Sequence, residues 1–226
     1  MAKEYAQHIN AFNQNLTINA RLPKGISVLN PFKDPVTAYL SQRFYQKYYN
    51  DTQPRTLILG INPGRLGSGL TGVPFTDPIN LQTYCKIENK LPQKHELSSE
   101  FIYQVITAYG GLTPFYQKFY FSSISPLGFV KDGKNLNYYD VKGLPEKLMP
   151  FILASLREQL SWGINREVVF CLGEGKNFDF LQQLNAEHHF FQNIIPLSHP
   201  RFIMQYKRPR LQEYINDYLS KLNTVK

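Results

Sequence analysis

The chain has 226 residues, a length that suits one α/β domain, with 42% hydrophobic and 14% aromatic residues, enough for a large core. Its formal net charge of +8, alongside many aromatics, fits a partner that offers phosphates and stackable bases. The 2 cysteines, Cys85 and Cys171, stand far apart outside any CxxC, which excludes a four-cysteine iron–sulfur cluster and a zinc ribbon and gives no sign of a disulfide framework.

Tyr5, Ile9, Phe12 and Leu16 fall at helical spacing, which predicts a first helix over 4–16. Residues 25–35, with Pro31 and Pro35, read as loop. Val36, Leu40, Phe44 and Tyr48 predict a second helix over 36–49. The apolar run at 56–61 is a buried parallel strand by its pattern. Residues 78–95 read as loop with a short helix near 81–87. Ser98 or Ser99 caps a helix to about Tyr109, ended by Gly110-Gly111, with a further short helix near 114–118. A second strand covers 119–124, and the polar stretch 131–140 is a hairpin or surface loop. A long amphipathic helix spans 145–161. A third strand at 167–172, a helix at 177–184, a fourth strand at 190–197 and a last helix at 210–222 complete the chain. This alternation predicts a three-layer α/β/α sandwich around a four-stranded, mainly parallel sheet. The reading is of one domain over 1–226, with 1–50 a helical extension packed on it.

The N-terminus MAKEYAQHINAF lacks the apolar centre of a signal peptide, and no apolar run approaches roughly 18 residues. The expected setting is cytoplasmic and the expected state monomeric.

The stretch from Leu57 to Phe75, LILGINPGRLGSGLTGVPF, carries the chemistry. A glycine-rich loop at the carboxyl end of a strand is where open α/β sheets hold ligands. It has no GxxxxGK[ST], no GxGxxG and no GxSxG. It presents a side-chain amide, Asn62, in Asn-Pro-Gly, which locally is also good turn chemistry. An amide takes no proton but orients a water or a sugar.

The pattern from Gly60 to Phe75 resembles the first motif of the uracil-DNA glycosylase superfamily. It is most similar to the single-strand-selective monofunctional uracil-DNA glycosylases, whose motif has the form GxNPGxxGxxxTGVPF. The resemblance covers about 55–220, with specific matching confined to this loop and to His199. It implies excision of uracil from DNA in base excision repair, with no cofactor and no metal.

Roles follow from that resemblance. Asn62 positions the water, and no general base is needed for so reactive a sugar cation. An Asp there would be faster, which implies a modest enzyme. Phe75 stacks the extruded base, and backbone near Ile61 and Gly64 helps fix it. His199, in Leu197-Ser198-His199-Pro200, donates to the uracil O2 as charge develops.

Two departures stand out. Aligning on Pro126-Leu127 puts Ser123 where the family has an Asn that reads the base. A hydroxyl rotates and serves as donor or acceptor, so base discrimination loosens and xanthine enters the range. The family's HPSPR becomes His199-Pro200-Arg201-Phe202, which leaves Arg201, Phe202 and Met204 as candidates for the wedge. Arg201, Phe202, Lys207, Arg208 and Arg210 form the expected DNA-binding stretch. No Lys stands in the motif loops, so the enzyme is expected to leave an abasic site without strand cleavage. Rival readings are the mismatch-specific branch of the superfamily, a non-catalytic nucleic-acid-binding module and a small-nucleotide hydrolase.

Overall fold

The computed structural model describes residues 3–225. Helix α1 (Tyr5–Asn15) is followed by strand β1 (Ile26–Leu29), a 3-10 turn (Pro31–Lys33) and α2 (Pro35–Tyr48). Asp34 starts α2: its Oδ1 accepts from Thr37 N–H at 2.8 Å, with Pro35 in the first turn. Then come β2 (Thr56–Gly60), α3 (Ser68–Thr71), α4 (Pro78–Thr83), α5 (Leu97–Ala108), α6 (Leu112–Lys118) and β3 (Phe119–Ser123). The hairpin β4 (Gly128–Lys131) and β5 (Lys134–Leu136) precedes α7 (Leu144–Leu160), β6 (Asn165–Leu172), α8 (Lys176–His188) and β7 (Asn193–Leu197). The chain ends with α9 (Pro200–Tyr206), a 3-10 turn (Arg208–Arg210) and α10 (Leu211–Leu222).

The main sheet has four strands, all parallel, in the order β3-β2-β6-β7, flanked by helices. Leu57, Ile58 and Leu59 are buried, as a strand covered on both faces requires. Helix α1 packs on α2 and α2 on α6, while α5 packs on α9 and α10. No helix of the described residues is long and apolar enough to cross a membrane.

Register brings the functional loops together. Gly60 pairs with Ser123, Leu59 with Cys171, and Leu172 with Leu197. The four strands therefore end on one edge, so Asn62, two residues past Gly60, and His199, two past Leu197, emerge on that same edge. The chain goes from β2 to β3 on one side, then crosses β2 to lay β6 and β7 on the other. The crevice at such a switch point is where open α/β sheets bind ligands.

Several expected elements differ. The 25–35 loop contains β1, which pairs antiparallel with β4 in a second, three-stranded sheet of order β1-β4-β5. Of the two readings of 131–140, the hairpin is correct. Its turn residues Asp132 (φ 49°) and Gly133 (φ 70°) are both left-handed, as a tight hairpin turn demands. The short helix starts at Pro78 rather than Leu81, because Asp77 caps it and Pro78 opens it. Neither Ser98 nor Ser99 caps α5, whose cap position is Glu96; the Ser99 hydroxyl instead accepts from Asp77 N–H at 3.1 Å. The fourth strand begins at Asn193, because the Asn185 amide ties the Phe191 backbone as a turn. Helix α9 was not expected, although Pro200 in its first turn is a start signal.

The aromatic content also finds a different use. Tyr5, Tyr45, Tyr49, Tyr103, Tyr116, Tyr120, Tyr138 and Tyr218 are all buried. Most of the ring surface is core, and few large rings, Phe202 and Tyr206 among them, face solvent.

Candidate active site

The loop after β2 is shaped by its own small residues. The Thr71 hydroxyl donates to Thr76 C=O at 2.7 Å and accepts from Val73 N–H at 3.2 Å, folding the TGVPF segment back on itself. Gly72 adopts φ 69°, and a Cβ there would lie 2.8 Å from Ser41 Cβ. The result places the half-buried Phe75 against the end of β2. A Cβ on Gly60 would lie 3.0 Å from Phe75 Cζ, so that glycine admits the ring. Phe75 itself sits at φ 53°, an uncommon conformation for a bulky residue. It is braced by Phe121, with ring centroids 5.2 Å apart.

Asn62 is held by chain far away in sequence. Its Oδ1 accepts from Tyr138 N–H at 3.0 Å, and its Nδ2 donates to Leu136 C=O at 3.2 Å and Pro63 C=O at 3.4 Å. An N–H only donates and a carbonyl only accepts, so these partners fix which way the amide points. Oδ1 keeps a second lone pair. Tyr138 is anchored in turn: its hydroxyl donates to Asn177 Oδ1 at 3.0 Å, and Asn177 Nδ2 donates to Leu172 C=O at 3.1 Å. The segment after β5 thus bolts the amide to the end of β6.

His199 is the N-cap of α9, and its Nδ1 accepts from Arg201 N–H at 3.1 Å. That bond assigns the ring proton to Nε2. Burial, and secondarily the Arg201 charge, pushes the imidazole pKa down to about 4, so it is neutral at pH 7.

These groups share one cavity of about 230 Å³, lined by Ile61, Asn62, Gly64, Phe75, Ser123 and His199, together with Glu96, Ser98, Asn135 and Arg201. All the expected base-side residues are therefore brought together. Ser123, buried at the end of β3, sits beside Gly60.

Glu96 was not foreseen. Its carboxylate lies over Gly67, where any Cβ would overlap Oε2. Among the described residues it joins none of the ion pairs. Burial, then the nearby Asp77 charge, pushes its pKa up to about 7, with Arg201 opposing. The folded value lies above the ordinary 4.5, so the folded state keeps its proton longer and stability falls as pH rises from 4.5 to 7. Glu96→Gln is expected to melt higher than wild type at pH 8 and at the same temperature at pH 4. Thermal melts at both pH values check this.

The stretch expected to bind DNA is divided. Arg201 lines the cavity, and Phe202, 42% exposed, stands beside it against Tyr206. Lys207 Nζ lies 5.9 Å from the Phe202 ring centroid. Arg208 pairs with Glu100 at 3.1 Å and Arg210 with Glu213 at 2.6 Å, both on the surface. Such exposed pairs are screened by water, contribute little and do not withhold an arginine from a phosphate. Met204 is buried in the core, which removes it from the three wedge candidates.

Comparison with known proteins gives the family and the fold. The model of the uracil DNA glycosylase superfamily matches residues 46–223. A crystal structure of wild-type SMUG2 from Pedobacter heparinus shares 48% identity, covers 98% of each chain and superposes with a TM-score of 0.96. A search of curated proteins returns no match. With a family model matched over residues 46–223 and a whole-chain structural match, and with an amide and an imidazole lining one cavity, the chain belongs to the uracil DNA glycosylase superfamily.

Proposed function

We propose that the protein is a monofunctional DNA glycosylase that extrudes uracil from DNA and hydrolyses its N-glycosidic bond. The observation that carries this reading is the single cavity shared by Asn62, Phe75 and a neutral His199. The flipped base stacks on Phe75. The C1′–N1 bond breaks ahead of water attack, leaving positive charge on the sugar and negative charge on the base. His199 Nε2–H donates to O2 of the leaving base. A neutral donor that is already oriented acts on charge present only in the transition state. The free lone pair of Asn62 Oδ1 orients the water that adds to C1′. Arg201, Phe202, Lys207, Arg208 and Arg210 meet the strand.

Ser123 sets the base range. Its hydroxyl accepts from N3–H of uracil or donates to a purine carbonyl, so xanthine enters as a second substrate. The test is a set of oligonucleotides carrying one uracil, one xanthine or one hypoxanthine. Incubation followed by hot alkali is expected to cut the uracil and xanthine strands, with no break before alkali. Asn62→Ala is expected to slow the cut about 10²-fold, the scale of a misplaced reactant. Binding without alkali-labile sites on any strand would make the protein a non-catalytic binding module.

A further inference from the structure

The base cavity opens into a second groove of about 460 Å³. Glu96, Ser98, Asn135 and Arg201 line both spaces, whereas Phe75 and Ser123 line only the inner one and Arg65 and Lys134 only the outer one. A nucleotide that puts its base against Phe75 and its phosphates beside Arg65 and Lys134 must set its deoxyribose at the junction. Among the described residues, the one carboxylate lining that junction belongs to Glu96.

We propose that Glu96 is a further catalytic residue, whose ionised carboxylate offsets the positive charge on the deoxyribose and accepts the proton shed by the added water. The inference rests on the excision reading above. When the C1′–N1 bond breaks, both electrons leave on the base and the sugar becomes an oxocarbenium ion. The water oxygen then bonds C1′, and its surplus proton passes to Glu96 Oε and on to solvent. This is consistent with Asn62 being an amide: one group orients the water and another supplies the charge.

The position is built for a carboxylate. Gly67 leaves room for it, and its backbone N–H donates to Asp77 Oδ2 at 3.0 Å, fixing the start of α5. The charged and titratable groups around it are Asp77, His95, His199, Arg65, Lys134 and Arg201. Asp77 raises its proton affinity and Arg201 lowers it.

The experiment is single-turnover release of uracil from an oligonucleotide between pH 5.5 and 8.5. Wild type is expected to lose rate about tenfold per unit below pH 7. Glu96→Gln is expected to be about 10²-fold slower at pH 8, with a flat profile. Glu96→Asp, which keeps the charge on a shorter arm, is expected to be slower but to retain the acidic limb. A Glu96→Gln protein with the wild-type rate and limb overturns the proposal while excision stands. Absence of release by wild type overturns the excision reading and this proposal with it.

Discussion

His199→Ala is expected to slow uracil release by about 10²–10³-fold, the range found when one preorganised donor to a developing oxyanion is removed. The effect falls on the chemical step, because the lost bond forms only as the base takes up charge. The substitution also removes the α9 cap that His199 Nδ1 makes with Arg201 N–H, at a cost of about 1 kcal/mol. His199→Asn separates the two roles. Its side-chain oxygen can accept from the same N–H and restore the cap, but its shorter reach leaves the base without a donor. Stability should return and rate should not. The depressed imidazole pKa, about 4 against an ordinary 6.5, has two consequences. The ring stays neutral throughout the working range, so no rate limb belongs to it near 6.5. Its contribution to folding is present above 6.5 and lost as pH falls toward 4. An acidic limb near 7 is assigned to Glu96 and should survive in His199→Asn. A limb near 6.5 that vanishes with His199 would contradict the neutral-donor account.

Asp51→Ala is expected to destabilise the protein by about 3 kcal/mol, the low end of the cost of unpairing a buried charge. Arg55 is 0% exposed and lies one residue before β2. Its Nη1 and Nη2 each donate to Asp51 at 2.8 Å, and its Nε donates to Tyr116 C=O at 2.7 Å. The guanidinium also lies over the rings of Tyr5 and Tyr49, at 5.4 and 5.3 Å. Without Asp51 the guanidinium keeps the Tyr116 and Gln53 carbonyls but loses its counter-charge, packed against aromatic rings. The partial exposure of Asp51 lets water in and holds the cost at the low end. A domain of this kind has only about 5–15 kcal/mol in total, so the urea midpoint should fall visibly. Arg55→Met in the Asp51→Ala background should recover part of the loss. A change under 1 kcal/mol would show that the pair contributes little. The same contacts explain what the first fifty residues do: Tyr5 and Tyr49 help lay the base of the strand whose far end carries Asn62.

What the sequence made legible was local or periodic. The apolar run at 57–59 announced a buried parallel strand, and the loop from Gly60 to Phe75 announced its family. Thr71, Gly72 and Phe75 are each required by a contact within that loop or directly beneath it. His199 was legible only through the resemblance, since no periodicity marks it. What stayed hidden depends on contacts between distant segments. Tyr138 grips Asn62 across 76 positions, and nothing in a polar stretch rich in Lys and Asn signals a clamp. Strand β1 has four residues and an unremarkable pattern, so only its pairing with β4 makes it a strand. Glu96 sits in a mixed polar run and acquires its character from Gly67, Asp77 and Arg201, which arrive from three other segments. The basic cluster after His199 looked uniform, yet Arg201 reaches the cavity while Arg208 and Arg210 are paired on the surface.

The most direct measurement is the mass-spectrometric detection of free base after the protein meets a uracil-containing oligonucleotide. The account predicts one uracil released per abasic site formed by wild type, and release at background in an Asn62→Ala/His199→Ala double variant that still melts cooperatively as a folded protein. A folded wild-type protein that binds the oligonucleotide and frees no base, or a double variant that frees it at the wild-type rate, would contradict the account.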